Sequence, residues 1–196
     1  MGAGHLLHLG IKTVIPPPHP LDFKDRLMNI WREYEQITNT YPLTFARALS
    51  TTVAPKPVNF IYVSGEGATT TPSFLTQHWA RIKGLTESSL LALSKQPEYA
   101  NLRPISLRPG AVDATFHTEV KDFVPRRNAT MGVLEKAALP VFRGLMPSMV
   151  SPTKELGKVL VELAMGDGGA HKEGESGVSD EGRTLSNVAM RRLAGI

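Results

Sequence analysis

A chain of 196 residues, 41% apolar and 20% charged, has the size of one domain and an ordinary globular composition, so disorder is not expected. The absence of cysteine excludes disulfides, thiolate catalysis and every cysteine-bearing metal site. The net charge of +4 includes only isolated doublets, Arg126-Arg127 and Arg191-Arg192, without interleaved aromatics, so nucleic acid is not an expected partner and a cofactor phosphate would satisfy the same charge. No apolar run approaches the ~18 residues of a membrane span, and Met1 to Gly10 lacks the charged start and long apolar core of a signal peptide. The expected location is cytoplasmic, with no membrane partner.

In chain order, His5 to Gly10 reads as a short strand, and Pro16-Pro17-Pro18-His19-Pro20 as an extended loop that neither helix nor sheet accommodates. Asp25 to Ile37 follows as a helix with Leu27, Ile30, Trp31 and Tyr34 recurring three and four apart. Thr38 or Asn39 offers an N-cap for a second helix with Pro42 in its first turn and Leu43, Ala46, Leu49 and Val53 on one face, ended by Pro55 and Pro57. Val58 to Val63 is short, β-branched and aromatic, and is closed by Ser64 and the glycines at 65 and 67, the pattern of a buried parallel strand. A helix from Thr76 or Gln77 to about Ser94 comes next. Leu102 to Leu107 is a second strand, whose Pro104 removes a ladder donor and predicts an edge position or an irregular start. Arg108 to Asp113 is a turn, and a helix is possible over Gly132 to Phe142. Ser151-Pro152 opens the clearest helix, with Leu156, Val159, Leu160 and Leu163 as its stripe and Gly166 as its stop.

Residues 166–183 are rich in Gly, Ser, Asp and Glu and predict a mobile loop, and 184–196 a short basic helix or tail. The strand, helix, strand, helix order gives an α/β fold, part of a doubly wound parallel sheet flanked by helices, over residues 1–165. In such sheets ligands bind at the carboxyl ends of the strands, where Ser64 stands. The plainer reading is that Ser64 starts a Gly-rich turn. Tyr62, two residues earlier on the same strand face, either approaches that end or packs under the helices. Asp113 either meets substrate or caps a helix.

Val58 to Ala68, the helix holding Lys83 and the strand ending in Arg108-Pro109-Gly110 occur in the order of the second half of the short-chain dehydrogenase/reductase family. The chain most resembles its extended or atypical branch, the nucleoside-diphosphate-sugar epimerase-like proteins of fungi. The likeness covers Thr38 to Asp113, and Ser151 to Gly166 more loosely. It implies a partial NAD(P)-binding Rossmann domain. Ser64 would polarise a substrate oxygen, Lys83 would serve both catalysis and the cofactor, and Pro109, Gly110 and Val112 would lie beside the nicotinamide. The implied partners are NAD or NADP and a small carbonyl or alcohol substrate, with no metal.

Two departures bear on activity. The family's phenol stands four residues before the lysine, stacked over it on the helix, and an adjacent ammonium lowers its pKa so that it trades a proton with the alkoxide. Trp79 occupies that position, and an indole N–H donates without titrating in the working range. His78 is the neighbouring titratable group, turned ~100° away on the helix. Glu87, four residues after Lys83, supplies a plain surface pair for it. The second departure is at the start, where no strand, glycine-rich turn and helix that would cradle a pyrophosphate is visible before Val58. If His5 to Gly10 matches the family's fourth strand, the first three are not in this sequence. Two function classes follow: an NAD(P)-dependent oxidoreductase or epimerase-like enzyme with impaired activity, and a non-catalytic Rossmann scaffold or fragment that binds without turnover.

Overall fold

The computed structural model of the chain describes residues 22–123 and 139–196. The expected strand at His5 to Gly10, the proline loop and the first part of the Gly132 to Phe142 helix lie outside the described residues. Helix α1 (Phe23–Glu35) runs through a π-helical turn (Gln36–Thr40) into α2 (Tyr41–Val53). Then come β1 (Val58–Val63), α3 (His78–Ser94), β2 (Leu102–Leu107), β3 (Ala111–Asp113), α4 (139–145), β4 (Val150–Pro152), α5 (Thr153–Met165), β5 (Val178–Ser179), β6 (Thr184–Leu185) and α6 (Asn187–Ala194).

The main sheet has the order β1-β2-β6-β5, with β1, β2 and β6 parallel and β5 antiparallel to β6. Strands β1 and β2 pair along their whole length, from Val58 opposite Leu102 to Val63 opposite Leu107. Helices cover both faces, the partial Rossmann-like α/β fold that the element order predicts. On one face Val58 and Tyr62 pack with Ala46, Leu90 and Leu93 beneath α2 and α3. On the other, Ile105, Leu107 and Leu185 pack with Leu156, Val159 and Met190 beneath α5 and α6. The period-two alternation of the strands sends one set of side chains to each core. None of the described helices is long and apolar enough to cross a membrane.

Five expectations are corrected. The two N-terminal helices are not separated by a cap, because the π turn carries the chain through without a break. Pro42 explains the turn's chemistry: it lacks the N–H that an α-helix would direct at the Thr38 carbonyl. That carbonyl instead accepts the Tyr62 hydroxyl at 3.2 Å, and the Thr86 hydroxyl, which donates to the Ile82 carbonyl at 2.8 Å, lies beside it. Pro104 lies on an inner strand. The N–H groups of Ser106 and Arg108 point at the β6 side, to Arg183 and Leu185, so by alternation the missing donor of Pro104 falls on that side too. There β6 pairs only with Ser106 and Leu107, and the proline breaks no ladder.

Residues 166–183, expected to be a mobile loop, are tied down by polar contacts. Asn59 donates to the carbonyls of Ala164 (3.0 Å) and Gly166 (2.7 Å), Arg183 to that of Gly168 (2.7 Å), and the His171 N–H to that of Gly182 (3.0 Å). The segment expected as a tail supplies β6 and α6, whose Leu185, Ala189 and Met190 are fully buried, so the domain does not end at 165.

Glu87 does not pair with Lys83. Its carboxylate is buried and takes both a 2.9 Å and a 2.5 Å hydrogen bond from the Arg108 guanidinium, joining α3 to the end of β2. Burial alone would lower the Arg108 pKa, but the Glu87 carboxylate beside it raises it. Removing one partner of such a pair strands a buried charge. Glu87→Ala is expected to cost about 3–5 kcal/mol in urea denaturation, and a loss below ~1 kcal/mol would contradict the pairing's structural role.

Candidate functional site

Strands β1 and β2 leave the sheet side by side. The Ser64 N–H donates to Leu107 at 2.8 Å and the Glu66 N–H to Pro109 at 2.9 Å, so the register of the ladder continues past the last strand residues. Above these paired ends lies a cavity of about 410 Å³, lined among others by Ser64, Trp79, Lys83, Pro109, Gly110 and Val112. All five residues singled out from the sequence as site candidates, together with Trp79, therefore meet on one concave surface at the carboxyl ends of parallel strands.

Helix α3 delivers Lys83 and Trp79 from one turn apart. It sits close because Gly84 has no Cβ: a methyl there would come within 1.9 Å of the Thr69 carbonyl oxygen. The Lys83 ammonium reaches back to the Ser64 carbonyl, donating at 2.5 Å. Burial pushes its pKa below the ordinary lysine value, while Glu87 nearby pulls in the opposite direction. The Ser64 hydroxyl is buried and has no hydrogen-bond partner among the described residues. Leaving a buried hydroxyl unpaired costs ~1–3 kcal/mol.

On the opposite wall the turn at Gly110 is fixed from behind. Its N–H donates to the Ser151 hydroxyl at 2.8 Å, and that hydroxyl donates in turn to the Asn187 side-chain oxygen at 2.5 Å. The Asn187 backbone N–H donates to a Glu66 carboxylate oxygen at 3.1 Å, which closes the loop back to the β1 turn. A Cβ on Gly110 would stand 2.2 Å from the Met149 carbonyl oxygen, so only glycine fits. Glu66, Phe142 and Met149 also line the cavity and were not identified from the sequence. They come from a turn, a short helix and a 3₁₀ turn, none of which has a periodic signal. The Ser151–Asn187 contact joins residues far apart in the chain and was equally invisible.

His78 does not lie in the cavity. Its ring stacks on Trp31 of α1, with centroids 5.3 Å apart, and is 6.0 Å from the Tyr34 ring. It therefore supplies no proton path in place of the phenol. Trp79 itself turns its indole N–H to the Gln77 side chain. Tyr62 packs beneath the helices, its hydroxyl on Thr38, and burial pushes its pKa up to about 12. Asp113 accepts the Thr115 N–H at 3.0 Å and pairs with Arg143 at 2.6 Å. Burial alone would raise its pKa, but these donors hold it below the ordinary carboxylate value. It belongs to the frame of the turn. A separate cavity of about 290 Å³ between α5 and the following turn is lined by Asp167 and His171 and contains none of the predicted site residues.

The arrangement defines an α/β protein with a single-sided pocket at the carboxyl ends of two parallel strands. The chain is 37% identical over 140 residues to botcinic acid biosynthesis cluster B protein 16 of Botryotinia fuckeliana (strain B05.10), a match that covers 70% of this chain and 87% of that protein. The chain belongs to the same family as that protein. No family model matches it, and no solved structure does.

If the Ser64 hydroxyl is kept for a ligand, removing it should not harm the fold. Ser64→Ala is expected to leave unfolding free energy unchanged or raised by about 1 kcal/mol, measured by urea denaturation. A loss of more than ~1 kcal/mol would show that the hydroxyl is structural.

Proposed function

We propose that the protein is a Rossmann-type relative of the short-chain dehydrogenases/reductases that binds a nicotinamide dinucleotide and a small carbonyl or alcohol ligand in the cytoplasm, with impaired turnover. One observation carries the reading: Ser64, Lys83, Pro109, Gly110 and Val112 converge on one cavity, beside a buried Ser64 hydroxyl that has no partner among the described residues. The nicotinamide end of a dinucleotide is assigned to this wall because Pro109, Gly110 and Val112 line the cavity there. The pyrophosphate end has less support, because the glycine turn after β1 leads into the loop 68–77 and not directly into a helix. When bound, the dinucleotide would supply the hydride. The chain's own part is to hold the substrate oxygen at Ser64 and to place a positive charge beside it at Lys83.

Impaired turnover follows from Trp79. A positioned general acid is worth ~10²–10⁴ in rate, and neither the indole nor the displaced His78 supplies one. The relative's name belongs to a biosynthetic cluster for botcinic acid, and we extend to this chain a part in the biosynthesis of a small molecule. A purely binding role is the second reading, and the same tryptophan favours it.

Trp79 lines the cavity and serves as a reporter once Trp31 is replaced. With Trp31→Phe as background, titration with NADPH or NADH is expected to change the indole emission saturably together with the nicotinamide emission. Absence of saturable binding by either dinucleotide would overturn the cofactor assignment. Trp79→Tyr places a phenol four residues before Lys83 and is expected to raise reduction of an aromatic diketone by NADPH at least ~10-fold.

A further inference from the structure

Glu66 is a charged residue of the cavity that the dinucleotide reading leaves without a task. The lining brings the Glu66 carboxylate together with the Ser64 hydroxyl and the Lys83 ammonium, and Trp79, Phe142 and Met149 give it apolar walls. Among the described lining residues Glu66 carries the one carboxylate. The residue is anchored at both ends. Its backbone N–H donates to the Pro109 carbonyl at 2.9 Å, and its Oε2 accepts the Asn187 N–H at 3.1 Å, a bond that leaves Oε1 uninvolved. Asn187 is the first residue of α6, and the start of a helix is a favourable place for a negative charge. Lys83 stands over the same turn: its ammonium donates to the Ser64 carbonyl at 2.5 Å and lies 3.6 Å from the point where a side chain on Gly65 would begin.

We propose that this cavity catalyses proton transfer at the carbon between two carbonyl groups of a small β-dicarbonyl compound, with Glu66 as the base and Ser64 and Lys83 as the groups that hold the enolate oxygen. No dinucleotide takes part. Two features of the site select this chemistry. The first is the set of groups present. Hydride transfer to a carbonyl needs a proton donor at the alkoxide, and Trp79 stands in that place. Enolisation needs a carboxylate base facing hydrogen-bond donors in apolar surroundings, and this cavity holds that combination. The second is reach. Ser64 and Glu66 are two residues apart, so their Cα atoms are at most ~7 Å apart along the chain. That span accommodates a ketone oxygen held at one end and the neighbouring C–H at the other. A carboxylate is a weak base, so the carbon it deprotonates needs activation by two carbonyls.

The step balances without a co-reactant. A Glu66 carboxylate oxygen takes the proton, the C–H electron pair becomes the C=C bond of the enolate, and the carbonyl π pair moves to the oxygen beside Ser64 and Lys83. Return of the proton from Glu66 to carbon regenerates the ketone. Exchange of that proton with water before it returns replaces the original hydrogen with one from solvent.

Deuterium exchange on the full chain, without dinucleotide, tests this directly. The probe is an α-methylated acetoacetate ester in heavy water, and proton NMR follows the hydrogen between its two carbonyls. The protein is expected to speed loss of that signal at least ~10-fold over buffer, and Glu66→Gln to lower the protein-catalysed rate ~100-fold or more. The glutamine oxygen still accepts the Asn187 N–H but takes up no proton. Glu66→Asp, which keeps a carboxylate, is expected to recover at least ~10-fold of that loss. No acceleration over buffer by the wild-type protein would overturn the proposal, as would acceleration that persists in Glu66→Gln. Equal loss in both variants would assign Glu66 to the start of α6 alone and overturn it as well. Because no dinucleotide is present, failure here leaves the NADPH titration to decide the cofactor reading by itself.

Discussion

The geometry of the cavity depends on the pair between Glu87 and Arg108. Glu87 lies one helical turn after Lys83, and Arg108 immediately precedes Pro109 and Gly110. Their two-pronged contact, with the carboxylate side chain only 1% exposed, pins the helix bearing the ammonium to the strand end bearing the turn. It also frees Lys83 from its nearest carboxylate along the helix, and the ammonium turns to the Ser64 carbonyl. A buried pair of this kind adds little net stability over an apolar one. Its role here is orientation: it fixes which face of α3 looks into the cavity.

A second constraint acts at the adjacent residue of α3, Thr86. Pro42 leaves the Thr38 carbonyl without its helical donor, and the Tyr62 hydroxyl supplies one from β1, with the Thr86 hydroxyl of α3 3.2 Å away. Three elements thus meet at one backbone oxygen, and the π turn between α1 and α2 is the form the helix takes around that point. Gly84 and Gly110 are the matching steric conditions, each leaving no room for a methyl against a neighbouring backbone carbonyl. The Ser151–Asn187 bridge holds the Gly110 turn from the far side, so both walls of the cavity are fixed by polar contacts behind them.

Much of this was legible in the sequence where local pattern suffices. The β-branched run at Val58 to Val63, the stripe on the Ser151 to Gly166 helix and the spacing of Ser64, Lys83 and Pro109-Gly110 gave the α/β sheet and the residues that share the cavity. Long-range choices were not legible. Glu87 had a sequence-local partner in Lys83 and took Arg108 instead, because burial rewards the planar two-pronged contact. Pro104 read as an edge signal although β2 is an inner strand, since the edge it needs exists only below the short β6. The region 166–183 looked unstructured because its order rests on backbone carbonyls and turn geometry, which composition does not reveal.

The central claim is that Ser64, Lys83 and the Pro109-Gly110 turn form one ligand site. Mapping amide and indole chemical-shift changes on addition of NADPH addresses it most directly. The account predicts that the largest changes fall together on Ser64 and Gly65, on Gly110 to Val112 and on the Trp79 indole. Changes centred on Gly168 to His171, beside the cavity under α5, would contradict it.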